Sequence, residues 1–288
     1  MSDKMVLTAA LAGASPKKSQ NPAIPYTPEE FAEEAYKAWN EGVSVVHIHA
    51  RDPDTGEADW TVERFRDINN AIQDRCPELI INMTSSGRPE NPIETRLERI
   101  EILKPELASF NTNSMNLAFL NWKTGEVVRE FVYPNPFWFM QKLAKAMRAT
   151  KTKPECEIFD FGGMHNINIL RMRDDLFEEP MHFQLVFGVA GGIPFDLHAF
   201  ARLKDLLPDG ATWSVCGVSK QQFQAGMVAA VNGGHIRVGM EDNIRMPNRE
   251  LAKGNWELVR WAAQVTKLAG REVANAEEAR QILNIPPR

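Results

Sequence analysis

His47 and His49 stand one residue apart in the run VSVVHIHARDPDTG, residues 43–56. The run opens on β-branched residues, which favour a buried strand. Side chains alternate along a strand, so the two imidazoles share a face one pleat apart and can bind one metal ion. Arg51, Asp52, Pro53, Asp54, Thr55 and Gly56 then end the strand with turn residues. The pair is thus expected at the C-terminal end of a strand, where α/β folds usually place their chemistry. Taken alone, it is equally compatible with two core histidines, each held by a carbonyl.

The ends of other predicted strands carry Ser15, Thr84, Ser85, Ser109, Asn111, Glu157, Asp160, Arg237, Glu241 and Asp242. Two histidines and Glu241 make a His2Glu metal set with an open position. Arg237 lies inside the apolar run HIRVG, and a buried arginine needs a carboxylate, either Asp242 or Glu157. One reading is a general base beside a cationic clamp for an anionic substrate. The other is a structural ion pair closing the fold. Glu157, between Cys156 and Ile158, is expected to face inward. Thr84, Ser85, Ser109 and Asn111 offer neutral hydrogen bonds suited to a small carboxylate. His182 and His235 begin strands and so belong at the opposite end. His198 falls on a helix, and His165 caps or packs. Gly188, Gly191, Gly192 and Gly217 fall where a backbone could approach a phosphate.

The elements that must position these groups are read from periodicity. Strands are predicted over residues 5–12, across the histidine pair, and over 78–83, 106–111, 155–160, 181–189, 211–218 and 235–240. Helices are predicted over 28–40, 60–76, 92–103, 136–150, 194–207, 220–232, 249–270 and 275–284, with another opening at 162–166. Thr27, Pro28 and Glu30 form a capping-box start for the first helix. Residues 84–89 read as a polar loop. Residues 114–134 are less regular, an excursion with a turn at 122–126. Eight strands alternating with helices predict an α/β fold, a (β/α)8 TIM barrel, as one domain over residues 1–288 with a C-terminal helical extension. A doubly wound sheet is the alternative, but Gly13-Ala14-Ser15 is not its glycine-rich first turn.

The chain has 288 residues, 43% hydrophobic and 25% charged, which fits a soluble globular protein. Its net charge of −5, with no basic block, argues against a nucleic-acid partner. Cys76, Cys156 and Cys216 are odd in number without paired spacing, which points to a reducing, cytoplasmic setting. The apolar start reads as a first strand, and no stretch reaches transmembrane length.

The pieces LTAALAGA, TPEE, VVHIHARDPDTG, KPELASFN, FGVAGG, TWSVCGV and GGHIRVGMEDN occur in this order across nearly the whole chain. In them the sequence resembles the β-keto acid cleavage enzymes. That resemblance implies a TIM barrel, a divalent metal that is usually Zn2+, a homotetramer, and a reaction in which a β-keto acid and acetyl-CoA give acetoacetate and an acyl-CoA. It implies His47, His49 and Glu241 as metal ligands and Arg237, Asp242 and Glu157 as the catalytic trio. Thr84, Gly87, Ser109 and Asn111 match positions holding the acetoacetate-like portion of the substrate. Thr84 replaces a serine of the type member, and Ser109 a threonine. Ser15 replaces a glutamate that meets an amino group, so a neutral or differently substituted β-keto acid is expected. A metal-dependent hydrolase or an aldolase working without CoA is the alternative, and a non-catalytic binding barrel is a third.

Overall fold

In the computed structural model, which describes residues 4–88, 90–121 and 124–287, eight parallel strands close into a barrel. The first half runs β1 (Lys4–Met5), β2 (Leu7–Ala10), α1 (Pro28–Asn40), β3 (Val45–Ile48), α2 (Val62–Arg75), β4 (Ile80–Met83), α3 (Thr95–Leu103) and β5 (Leu107–Asn111). A hairpin, β6 (Met115–Asn121) and β7 (Glu126–Tyr133), leaves the barrel before α4 (Phe137–Ala149) and β8 (Lys153–Ile158). The second half continues with α5 (Phe161–Leu170), β9 (His182–Phe187), α6 (Leu197–Asp205), β10 (Thr212–Gly217), α7 (Gln221–Val231) and β11 (His235–Val238). It ends with α8 (Asn255–Leu268), β12 (Glu272–Val273) and α9 (Ala276–Ile282). Around the barrel the order is β10-β11-β2-β3-β4-β5-β8-β9. The last strand therefore adjoins the first, and β11, β2 and β3 stand side by side.

Local chemistry explains the framework. Thr27 Oγ1 accepts from Glu30 N at 3.3 Å, and the Glu30 carboxylate accepts from Thr27 N at 3.2 Å. This capping box satisfies donors that a bare helix start leaves open, worth about 1 kcal/mol. Phe31, Ala35 and Ala38 of α1 face the main core, which lies between barrel and helices. A second cluster closes the barrel floor: Ala279 of α9, with Leu283 and Ile285, packs on Val45, Ile80 and Leu107. The floor is plugged, so the C-terminal ends of the strands form the accessible mouth.

Two regions differ from the sequence reading. The irregular stretch is an antiparallel hairpin whose register slips between Phe119 and Leu120. Most of its side chains are exposed on both faces, so it lacks the one-sided burial that produces a strand pattern. The predicted first strand divides in two, and β1 pairs with β12 outside the barrel. Trp122 and Lys123 of the predicted turn, and Pro89 of the loop after β4, lie outside the described residues. Among the described residues no helix is long and apolar enough to cross a membrane.

The barrel interior is unusually polar. Thr8, Asn82, Glu155, Gln184 and Ser214 are all buried on strands, where aliphatic layers are the rule for this fold.

Candidate active site

The β3 register sets the histidine pair. His47 pairs with Ala10 on one side and Asn82 on the other, and His49 follows just beyond the strand. Their rings are 5.1 Å apart. Glu241 reaches them from beyond β11. There the chain turns at Gly239, whose φ is +145°; a Cβ at this position would lie 2.2 Å from Ala10 O. Gln222 and Asn255 accept from the amides of Gly239 and Met240 at 3.0 and 2.9 Å, which fixes the turn.

Glu241 Oε2 lies 3.7 Å from His47 Nε2, and Glu241 Oε1 lies 3.5 Å from His49 Nε2. These separations are too long for hydrogen bonds. They suit donor atoms around one ion with bonds of about 2.0–2.2 Å. One ligand atom from each of the three residues lies within 4.8 Å of the others. Glu241 Oε2, the oxygen 3.7 Å from His47 Nε2, is buried without a hydrogen-bond partner. Such an atom costs roughly 1–3 kcal/mol, so the cluster fits a site completed by a cation. Burial lowers the pKa of His47, and that of His49 to about 3, so both rings are neutral at pH 7, the form that metal ligation requires. Burial would raise Glu241, but the charges facing it, with the permanently charged Arg237 donating a hydrogen bond, outweigh burial and lower its pKa.

Arg237 joins this cluster to the carboxylates. Its Nε donates to Asp242 Oδ2 and its Nη2 to Asp242 Oδ1, both at 2.9 Å. Nη2 also donates to Glu241 Oε1 at 2.7 Å, and Nη1 stands 3.6 Å from Glu157 Oε1. Burial raises the Asp242 pKa, opposed by Arg237 and assisted by the Glu241 charge. Burial likewise pushes Glu157 up to about 8 against the pull of Arg237. The mouth thus holds one carboxyl fixed by a guanidinium, Asp242, and another, Glu157, whose pKa of about 8 favours the protonated form at neutral pH.

The remaining predicted residues line the same mouth. Ser109 Oγ accepts from Ser85 N at 3.1 Å, which leaves its own proton free to donate. Asn111 is buried, and its amide has no partner among the described residues. The Thr84 hydroxyl shares a 2.8 Å hydrogen bond with Ser86. Ser15 is exposed at the rim. Gly87 is held by the fold: a Cβ there would lie 2.8 Å from Arg96 Cγ. Asp160 stands apart from the site as the N-cap of α5, accepting from Gly163 N at 2.8 Å. Gly188 and Gly217 pack against Gln221 at the start of α7.

Three buried arginines shape the mouth and were not read from the sequence. Arg51 donates to the carbonyls of Gly13, Pro16 and Gly56 and ties the loop after β2 to the loop after β3. Arg96 donates to Ser85 O at 2.6 Å, and Arg99 donates to Ser86 O. Most of their acceptors are backbone carbonyls, which leave no mark in a sequence; Arg96 also donates to Tyr133 Oη and Asn135 Oδ1. Gly13 was also missed. Its φ is +64°, and a Cβ there would meet Glu241 Cγ at 2.6 Å. Gly13→Ala is expected to displace Glu241 and weaken metal binding about 10- to 100-fold, as disturbing a ligand's support typically does. Chelator competition measures this, and wild-type affinity would mean that Glu241 does not bind the metal.

A model of the beta-keto acid cleavage enzyme family matches residues 4–285. The 3-keto-5-aminohexanoate cleavage enzyme of Fusobacterium nucleatum subsp. nucleatum is 37% identical over 289 residues, covering 99% of each chain. The 3-oxoadipate:acetyl-CoA acetyltransferase of Cupriavidus necator is 30% identical over 290 residues, covering 99% of this chain and 96% of its own. Among solved structures, apo ObcA and ObcA with oxaloacetate match with TM-scores of 0.73 and 0.74 at 21% identity. That match covers 92% of this chain and 66% and 68% of those chains, and it is a likeness of fold.

Proposed function

The chain belongs to the β-keto acid cleavage enzyme family, and from that premise we propose that it converts a β-keto acid and acetyl-CoA to acetoacetate and an acyl-CoA. The observation that carries this reading is the convergence of His47, His49 and Glu241 with the Arg237–Asp242 pair at one mouth. A hydrolase needs a metal set, but not a carboxylate fixed by two guanidinium bonds 5 residues away in the chain from its clamp. His47, His49 and Glu241 would hold a divalent ion, zinc by the donor set, and it would supply Lewis acidity to polarise the keto oxygen.

The chain's own residues do the rest. Ser109, Thr84 and Asn111 hold the substrate carboxylate. Asp242 takes the proton from the carbon between the two carbonyls, and Arg237 keeps its carboxylate aimed and opposes the upward pull of burial on its pKa. The resulting carbanion attacks the acetyl carbon of acetyl-CoA, and the C–S bond breaks to release CoA thiolate. The thiolate adds to the former keto carbon. The bond between that carbon and the central one then breaks, giving acyl-CoA and the acetoacetate carbanion, which recovers its proton from Asp242. Glu157 keeps its own proton at neutral pH and offers it as a hydrogen bond to a developing oxyanion. A homotetramer belongs to the same reading, and the exposed Val127, Val128 and Val132 of the hairpin offer apolar surface for it.

Ser15 sets the expected substrate range. Exposed and uncharged, it gives no counter-ion to a substrate ammonium. A panel of β-keto acids assayed with acetyl-CoA is expected to favour neutral members over aminated ones. Ser15→Glu should shift kcat/KM toward an aminated member by about fivefold, the size of one exposed ion pair. Equal rates on both classes in both proteins would remove Ser15 from the specificity account.

A further inference from the structure

The layer beneath the catalytic carboxyls has no part in the reaction above, yet it holds a fully buried acid. Glu155 lies two residues before Glu157 on β8, so both face the lumen, and Glu155 is 1% exposed. Burying a carboxylate costs several kcal/mol, and a mere plug for a barrel would be aliphatic. Its surroundings are specific. Asn82 Nδ2 donates to Glu155 Oε1 at 2.6 Å, and His182 Nε2 stands 3.5 Å from Oε2. Gln184, opposite Glu157 in the β8–β9 register, donates from one Nε2 to Glu155 Oε1 at 3.2 Å and to Glu157 Oε1 at 3.4 Å. Ser214 Oγ, 3.3 Å from Gln184 Oε1, donates to it and fixes which way the amide points.

We propose that Gln184 is a positioning residue: its amide, anchored from below by Glu155, fixes the Glu157 carboxyl at the reacting level. This rests on the reading that Glu157 takes part in the cleavage. The amide nitrogen has two hydrogens, one for each carboxyl, so it links the floor to the site. It engages Glu157 through Oε1, the same oxygen that faces Arg237 Nη1. Oε2 is left to meet substrate. Without the amide, Glu157 loses its only neutral donor among the described residues and keeps only the 3.6 Å contact with Arg237.

Gln184→Met keeps length and burial but removes the amide. In the metal-loaded protein it is expected to lower kcat about 10- to 30-fold, the scale of a misplaced catalytic group, with KM and metal content unchanged. In a Glu157→Gln background the same change should alter kcat less than about twofold, because positioning acts only through Glu157. Glu155→Gln, which keeps the Oε1 acceptor, should retain most of the activity. Ser214→Ala, which frees the amide to turn, should lower kcat by a smaller factor and serves if Gln184→Met does not fold. An equal loss in both backgrounds would make Gln184 structural and overturn the proposal. A crystal structure of metal-loaded Gln184→Met tests it apart from activity, with Glu157 expected to leave its place beside Arg237. An unmoved Glu157 overturns the proposal, whereas a wild type inactive on every β-keto acid removes the cleavage reading and leaves the displacement to be judged on its own.

Discussion

Asp242→Asn is expected to bind metal with wild-type stoichiometry and to turn over about 10³-fold more slowly. The substitution preserves shape and removes the basic oxygen. General-base removal costs about 10²- to 10⁴-fold. Asp242 is placed above the foot of that range because the proton it takes sits on carbon, where water is a poor substitute. The fold should survive: Arg237 keeps Glu241 at 2.7 Å and Glu157 at 3.6 Å, so its buried charge is not left alone. Asp242→Ala is a poorer test, since it leaves two guanidinium donors without acceptors and would cost stability as well as rate. The competing view makes Asp242 only the structural partner of Arg237. That view predicts a lower Tm for Asp242→Asn with an unchanged rate per metal-bound site. Tm, metal content and kcat measured on one preparation decide between the two.

His47→Ala is expected to abolish metal binding at micromolar metal and with it all CoA-dependent cleavage. It removes one of three ligands, so affinity should fall by more than the roughly 10- to 100-fold lost when only a ligand's support is disturbed. Thermal unfolding gives a reading that does not depend on activity. A ligand at a thousandfold excess over its Kd stabilises the folded state by about 4 kcal/mol. Wild-type protein should therefore melt higher with metal than without, and His47→Ala should melt alike in both conditions. His47 Nδ1 has no partner to lose, so the apo variant forfeits packing but no hydrogen bond. A metal-dependent rise in Tm that persists in His47→Ala would place the ion elsewhere.

Much of this was legible because the chemistry coincides with the pattern. The histidine pair announces itself through strand alternation, and Thr27 with Glu30 announces α1 through a capping box that the structure reproduces. The alternation of strands and helices implied the barrel, and the barrel order puts only β2 between β11 and β3, as the His47–Glu241 encounter requires. What escaped depends on carbonyls and on space. Arg51, Arg96 and Arg99 are held largely by backbone oxygens from other loops. Gly13 matters because of what its missing Cβ would strike. Glu155 and Glu157 look alike in the string ECEIFD, and only the Gln184 bridge and Arg237 tell the floor from the site. The hairpin escaped because it is exposed on both sides.

The most direct test of the central claim follows carbon. Metal-loaded protein, a β-keto acid that it accepts, and acetyl-CoA labelled with carbon-13 in both acetyl carbons are mixed, and the products are read by NMR. The account predicts acetoacetate labelled at the keto carbon and methyl, unlabelled at the carboxyl and central carbons, together with an unlabelled acyl-CoA. Unlabelled acetoacetate, or free carboxylic acids with acetyl-CoA left intact, would contradict it and make the site that of a hydrolase or an aldolase.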